Sequence, residues 1–331
     1  MMKSNEIASM EGRVFYKIMN ADENNRGFEY KEGLNVFDPY NSLGGFDFMA
    51  IDHVFNNFDL DYAVYLREVT LPTNDPKLRV IKDTYGYRAN MIILGKKYEL
   101  NNPDTIKMLV ERGAYVQKYY KCMFMKSVEK GDLDAMKDYV AKGVDLHCNE
   151  KYALRIAAVR GYFDMVKYCV ENGADVHAID DQALQWAAQH GHFNIVKYLI
   201  EHGANIHAEN ESALRAGATY GNLEIVMYLA GKGADIHVLN DTILCDSAAC
   251  GRLSIVKYLV ENGADVHTNN DCALKWSVVG CHTEIVKYLV EKGANLHVEN
   301  GYVIRIAVQN KHKEIVKYLL DKDPDLLMYL L

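Results

Sequence analysis

The chain has 331 residues, 49% of them hydrophobic and 25% charged, a composition that excludes disorder over most of the length. The formal net charge of −8 argues against a general nucleic-acid binder, which needs a positive face. No window holds the roughly 18 apolar residues a membrane span requires.

Residues 1–20 lack the apolar stretch of a secretory signal. The seven cysteines are odd in number and form no C-x-x-C pair, so neither a disulfide framework nor a structural zinc site is indicated. A reducing, intracellular home is expected. Residues 1–100 show no internal repetition. Tyr62–Leu71 is rich in β-branched and aromatic residues and stops at Pro72, which predicts a strand. Met91–Leu94, before Gly95, predicts another. Phe28–Tyr30 and Phe46–Phe48 are shorter strand candidates, and Ile51–Phe58 reads as a short helix. Together they predict a small α+β domain over residues 1–100. Pro103–Gly113 reads as a helix, so residues 101–120 are a linker or a partial repeat.

From there a thirty-residue period takes over. Gly143-Val144-Asp145-Leu146-His147 returns as Gly173-Ala174-Asp175-Val176-His177 and again at 203, 233, 263 and 293. Ile195-Val196-Lys197-Tyr198-Leu199 returns at 255, 285 and 315, and Ala183-Leu184-Gln185-Trp186-Ala187-Ala188 echoes Ala153 to Ala158. Self-similarity at fixed period means a stacked solenoid. The units are 121–150, 151–180, 181–210, 211–240, 241–270, 271–300 and 301–331. Each reads as two short helices. In 181–210, Asp180 and Asp181 are expected to accept the free amides at the start of helix one. Gly191 and Gly203 are expected to end the two helices in left-handed geometry. Leu154, Ala157, Leu184, Ala187, Leu214, Leu244, Leu274, Val196, Leu199, Val256 and Leu259 are the expected core.

These motifs together resemble the ankyrin repeat. The resemblance implies a mainly α solenoid of helix pairs, acting as a non-enzymatic protein–protein interaction scaffold. Three departures stand out. The period is 30 against about 33 in the family, the T-P-L-H motif is missing, and His follows Gly-Ala-Asp-Val where the family usually has Asn. The missing residues fall in the finger loop, so short fingers without a β-hairpin are expected. This dialect resembles the ankyrin proteins of giant DNA viruses. The first 100 residues are similar to a module that precedes the repeats in some of them, and that similarity implies no activity.

Phosphate-loop, dinucleotide, zinc-protease and serine-hydrolase motifs are absent from the sequence, and Gly44-Gly45 is too short to cradle a phosphate. His53, Asp59, Asp61 and Glu68 have no spacing that makes an acid–base pair. No catalytic residue, cofactor or metal is therefore expected. The six repeated histidines read as side chains bonding the loop backbone. Equivalent histidines on layers roughly 8–10 Å apart are too far apart to share a metal, whose bonds to nitrogen are about 2 Å. The repeated tyrosines at 168, 198, 228, 258, 288 and 318 read as core with the hydroxyl at the rim. The lysines beside them read as a solvated face, paired with Glu171, Glu201, Glu261 and Glu291 four positions on.

One pair of slots in helix one varies more. The second slot holds Ile156, Trp186, Ala216, Asp246, Trp276 and Ile306, and in the ankyrin family it resembles a concave-face position that meets partners. The first slot holds Arg155, Gln185, Arg215, Cys245, Lys275 and Arg305. Trp and Arg are enriched at binding hot spots, so Arg155, Ile156, Gln185, Trp186, Arg215, Lys275, Trp276 and Arg305 form the candidate partner-binding stripe. Packing between repeats is the competing explanation for the two tryptophans. The expected partner is a protein, with no nucleic acid and no membrane. Two other functions stay open: an enzymatic or ligand-binding activity in residues 1–100, and a ubiquitin-ligase substrate adaptor. The adaptor reading usually needs a C-terminal helical docking module, and only Asp321–Leu331 follow the last repeat here.

Overall fold

The computed structural model describes residues 1–25, 28–37, 45–56, 63–84 and 86–331. The chain divides into two compact units. One is Met1–Lys126 with Lys137–Val144, and the other is Ser127–Met136 with Asp145–Leu331.

The first unit opens with helix α1 (Ser4–Ala8). Strands β1 (Phe15–Met19), β2 (Asn24–Asn25), β3 (Phe28–Glu29), β4 (Gly33–Val36) and β5 (Phe46–Phe48) follow. A 3₁₀ turn at Ile51–His53 leads to β6 (Tyr65–Thr70), β7 (Val80–Asp83), β8 (Gly86–Ala89) and β9 (Met91–Glu99). The main antiparallel sheet has the order β1-β6-β9-β4, and a second has the order β5-β8-β7. The register pairs Phe15 with Val69 and Met19 with Tyr65. Alternation along β1 sends Phe15 and Met19 into one apolar cluster and Tyr16 into another, as the two-residue period of a strand requires. Both strands expected from composition are present, and β9 runs to Glu99. The expected helix at Ile51–Phe58 is only a 3₁₀ turn at its start; Tyr62 and Asn57–Phe58 lie outside the described residues. Lys17 is buried on β1, where its ammonium donates to the Asp47 carbonyl at 2.9 Å.

Helix α2 (Pro103–Glu111) occupies the segment expected to be helical, with Asn102 capping the Asp104 amide. Then come α3 (Gln117–Lys130) and α4 (Leu133–Ala141), within which the division between the units falls. The regular array follows as helix pairs: α5 (Cys148–Arg160) with α6 (Phe163–Glu171), α7 (Ala178–Gln189) with α8 (Phe193–Glu201), and α9 (Ala208–Tyr220) with α10 (Leu223–Gly231). It continues through α11 (Val238–Ala249), α12 (Leu253–Glu261), α13 (Thr268–Val279), α14 (Thr283–Glu291), α15 (Val298–Gln309) and α16 (Lys313–Lys322). Odd-numbered helices pack on odd and even on even. All eleven expected core residues are buried. Among the described residues after Glu99 there is no strand, in line with the short fingers.

What replaces the finger is a run of three left-handed residues. Ile179, Asp180 and Asp181 have φ of 52, 52 and 58°, and the same turn recurs at 209–211, 239–241, 269–271 and 299–301. Left-handed backbone costs an L-residue roughly 1–2 kcal/mol. Asn and Asp tolerate it best, and the middle position is Asp180, Asn210, Asn240, Asn270 and Asn300. Asp180 and Asp181 therefore lie in the left-handed turn, and Asp181 bonds elsewhere rather than capping helix one.

Candidate interaction site

The stripe follows from helical spacing. Leu184, Ala187 and Ala188 on α7 are buried, as are their counterparts Leu154, Ala157 and Ala158 on α5. The two slots between them face outward. Arg155, Ile156, Gln185, Trp186, Arg215 and Lys275 are half-buried, and Arg305 is exposed. Trp276 is 51% exposed, so it is not packed away between repeats. Cys245, in the first slot, is buried.

The stripe is less uniformly basic than its sequence suggests. The Arg155 guanidinium lies 5.5 Å from the Trp186 ring centre, a cation–π distance. Lys275 is neutralised by Glu299 at 2.6 Å. Arg305 donates to the Asn300 and Glu299 carbonyls at 2.8 and 3.2 Å. Gln185, Gln189, Ser212, Arg215, Thr219 and Asp246 line a shallow pocket of about 210 Å³. Burial holds the Asp246 carboxyl above the usual carboxylate range, partly opposed by the Arg215 charge. The Nε atoms of Arg155 and Arg215 are buried without a hydrogen-bond partner.

Four of the six repeated histidines bond carboxylates of their own turn rather than loop backbone. The His177 Nδ1–H donates to Asp181 at 3.1 Å. His207 donates to Glu211 at 2.6 Å, His237 to Asp241 at 2.7 Å and His267 to Asp271 at 3.1 Å. Those acids are buried, and most reach onward to the next turn. Asp181 accepts the Asn205 amide at 2.7 Å, Asp241 the Asp265 amide at 3.1 Å and Asp271 the Asn295 amide at 2.8 Å. Glu211 does not make this bond, and its Oε2 is buried without a partner. The Asp or Asn before each histidine closes an Asx turn on the histidine amide at 2.9–3.0 Å, which explains why both residue types occur there. The last turn differs. Gly301 takes the place of the acid, and His297 instead meets the Tyr329 hydroxyl at 3.1 Å and Asp323 at 2.8 Å. A Cβ at Gly301 would sit 2.2 Å from the Tyr329 ring. Among the described residues no group of three or more His, Cys, Asp or Glu could hold a metal ion.

A second ladder joins each unit to the one before. His192 Nε2–H donates to the Val159 carbonyl at 3.0 Å and His282 to Ala249 at 3.0 Å. Asn222 donates to Ala188 at 2.7 Å and Arg252 to Thr219 at 2.9 Å. These side chains lie over glycines: a Cβ at Gly161 or Gly251 would come 2.6 Å from the imidazole above. At the next step the glycine is Cys281, with φ of 59°, and His312 Nε2 is buried without a partner.

The repeated tyrosines are half-buried, but not all hydroxyls reach the rim. Those of Tyr198 and Tyr228 are buried without a partner, while Tyr318 donates to the Lys287 carbonyl at 3.3 Å. Lys197 pairs with Glu201 as expected, at 3.9 Å. Lys287 instead meets Glu284 and Glu314 at 2.7 and 3.1 Å.

In the first unit, Glu68 accepts from the Tyr98 hydroxyl at 2.7 Å and from Arg112 at 3.0 Å. His53 lies 3.7 Å from Asp52, both well exposed. Asp59, Asp61 and Gly44 lie outside the described residues. No helix among the described residues is long and apolar enough to cross a membrane.

A family model for ankyrin repeats matches residues 124–210, 213–300 and 267–328. Ankyrin repeat protein R868 of Acanthamoeba polyphaga mimivirus is 38% identical over 117 residues, 32% of this chain and 57% of that protein. Uncharacterized protein R869 of the same virus is 38% identical over 111 residues, 31% of this chain and 80% of that protein. The match thus spans little more than half of the first relative. The crystal structure of the human ASB11 ankyrin repeat domain superposes with a TM-score of 0.53 at 23% identity, covering 60% of this chain and 97% of that one.

Proposed function

The chain belongs to the ankyrin-repeat family, and we propose that it is a non-enzymatic scaffold that binds a protein through the open slots of its first helices. The observation that carries this reading is the exposure of Trp276 beside Lys275, in a slot whose neighbours Leu274 and Ser277 are fully buried. A large aromatic held on a rigid helix and left half in solvent supplies binding energy at low entropic cost. Arg155, Ile156, Gln185, Trp186, Arg215 and Arg305 extend the surface along the stack. On the family resemblance we assign this face as the concave one. All seven cysteines are free thiols, which fits a reducing, intracellular compartment. The domain boundaries we propose are 1–100 for the α+β domain, 101–120 for a partial repeat and 121–331 for seven repeats.

Neither alternative gains a supporting observation. Glu68 is held by Tyr98 and Arg112, and His53 has only an exposed carboxylate beside it. The test is capture of partners from Acanthamoeba lysate with the full chain and with Trp276→Ala. A protein retained by the first and lost from the second, with unchanged thermal unfolding, supports the reading. A hot-spot truncation should weaken binding by at least ~2 kcal/mol. Equal capture by both chains refutes the stripe.

A further inference from the structure

We propose that the pocket lined by Gln185, Gln189, Arg215, Ala216, Thr219 and Asp246 is a carboxamide-binding site that takes an asparagine or glutamine side chain of the partner. This names the chemistry the partner brings to the stripe, and so rests on the scaffold reading above.

The pocket comes from one small residue. Helices α7, α9 and α11 pack side by side, and the second slot of the stripe holds Trp186, Ala216 and Asp246 on them. Where Trp186 and Trp276 put a ring into that slot, Ala216 leaves a hollow of about 210 Å³. Gln185 and Gln189, four positions apart on α7, line it together, as helical spacing allows. Arg215 and Thr219 line it from α9 by the same spacing, and Asp246 lines it from α11.

The polar groups gathered there are not met by their own chain. The Arg215 Nε–H is buried without a hydrogen-bond partner. Among the described residues, none bonds the Asp246 carboxylate or the Gln185 and Gln189 amides. Elsewhere on the stripe the charges are already held, Lys275 by Glu299 and Arg305 by two carbonyls. Arg215 therefore offers a donor and Asp246 an acceptor within one hollow. A carboxamide is the complement: its oxygen accepts from Arg215 and its NH2 donates to Asp246. A carboxylate satisfies Arg215 and is repelled by Asp246. A lysine or arginine satisfies Asp246 and is repelled by Arg215. An apolar group leaves both desolvated without partners, which is costly.

The experiment titrates N-acetylglutamine methylamide into the isotope-labelled full chain and follows the Arg215 Nε–H signal by NMR, identified by its loss in Arg215→Lys. The matched glutamate, lysine and norleucine derivatives are the comparisons. The expected result is a saturable shift with a dissociation constant on the order of 1 mM, as befits so small a ligand. The comparisons should bind roughly tenfold more weakly or worse, the cost of one group left unpaired. Asp246→Asn should change the preference, because an asparagine amide donates to a carboxylate. The glutamate derivative should then bind at least as well as the glutamine derivative, a swap that a residue serving only to pack would not produce. The titration of the unsubstituted chain decides by itself even where Asp246→Asn fails to fold. An Arg215 signal that the glutamine derivative leaves unmoved overturns the proposal, as does an equal response to all four. Free glycine carries a carboxylate and an ammonium that also match the pair; if it binds more tightly than the carboxamide, the site is one for a small zwitterion and the proposal fails. Trp276 takes no part in this titration. A failed titration with Trp276-dependent capture removes the pocket and leaves the scaffold, whereas a saturable titration without such capture keeps the carboxamide site and removes the stripe.

Discussion

Replacing Cys281 with glycine is expected to stabilise the protein. The equivalent positions Gly161, Gly191, Gly221 and Gly251 have φ of 78, 76, 94 and 71°, while Cys281 and Lys311 carry side chains at 59 and 60°. Left-handed backbone costs such residues about 1–2 kcal/mol, reduced somewhat because glycine also frees the unfolded chain. A second gain concerns His312. Over Gly161 and Gly251 the imidazoles of His192 and His282 reach a carbonyl of the preceding unit. Cys281 carries a Cβ where those units have glycine, and His312 Nε2 is left buried and unpaired. A buried donor without a partner costs about 1–3 kcal/mol. Glycine lets His312 settle toward the Val279 carbonyl and recover that loss. Cys281 is exposed, so little packing is forfeited. The sum is about 2 kcal/mol in favour of Cys281→Gly, measured by urea unfolding followed by circular dichroism. Lys311→Gly relieves the backbone alone, because no further histidine lies over it, and should yield about 1 kcal/mol. If the two variants gain equally, the histidine argument fails. If Cys281→Gly is neutral or destabilising, the backbone argument fails with it.

Asp271→Ala removes the acceptor of both His267 and the Asn295 amide and should cost about 2–4 kcal/mol in the same assay, since a buried donor is orphaned. Glu211→Asp should stabilise by about 1 kcal/mol, because the shorter acid matches Asp241 and Asp271, and amide exchange at Asp235 should slow. Burial lowers the Lys17 ammonium from 10.5 to about 8. The unfolded chain then binds that proton more tightly, so stability is lower below pH 8 and rises from pH 8 toward 10 by about 2–3 kcal/mol. Lys17→Met should flatten that rise in denaturant titrations at stepped pH. Tyr119, pushed up to about 12 chiefly by burial, has the opposite sign but acts only above its ordinary value of 10.

The repeat architecture was legible because its signals are local and recur. Leu and Ala at helical spacing name the buried face, and Gly191 and Gly203 name the helix ends. The left-handed turn was hidden because Asp180 and Asp181 also fit an N-cap, and a cap is the commoner use of such residues. The available clue was Asn or Asp recurring at 180, 210, 240, 270 and 300, each followed by an acid or glycine. The histidine–carboxylate bonds were missed with it, since the four-residue spacing means something only once the turn is known. The stripe was legible as a surface, because its residue types vary. Its electrostatics was not, because Glu299 reaches Lys275 from the far end of the same unit, 24 positions on, a closeness that sequence proximity does not mark. The strands β1, β4, β7 and β8 left no clear pattern in so short a domain.

The braced turns give the stack a polarity. Three of the five left-handed turns are held by an amide donated from the turn that follows, as Asn205 holds Asp181, Asp265 holds Asp241 and Asn295 holds Asp271, and among the described residues no equivalent hold comes from the turn before. Unzipping from the two ends is therefore unequal. Peeling away early turns removes no brace from those that remain, whereas losing Asn205, Asp265 or Asn295 from the late end exposes a strained loop and a desolvated acid. Gly301 and the Tyr329 ring answer that asymmetry where the series ends, with a residue that adopts positive φ freely and an aromatic cover in place of a carboxylate. A shortened array stopped before Asn295 would end on the unbraced Asp271 turn, and restoring the segment from Asn295 through Gly301 to Tyr329 should restore a clean boundary.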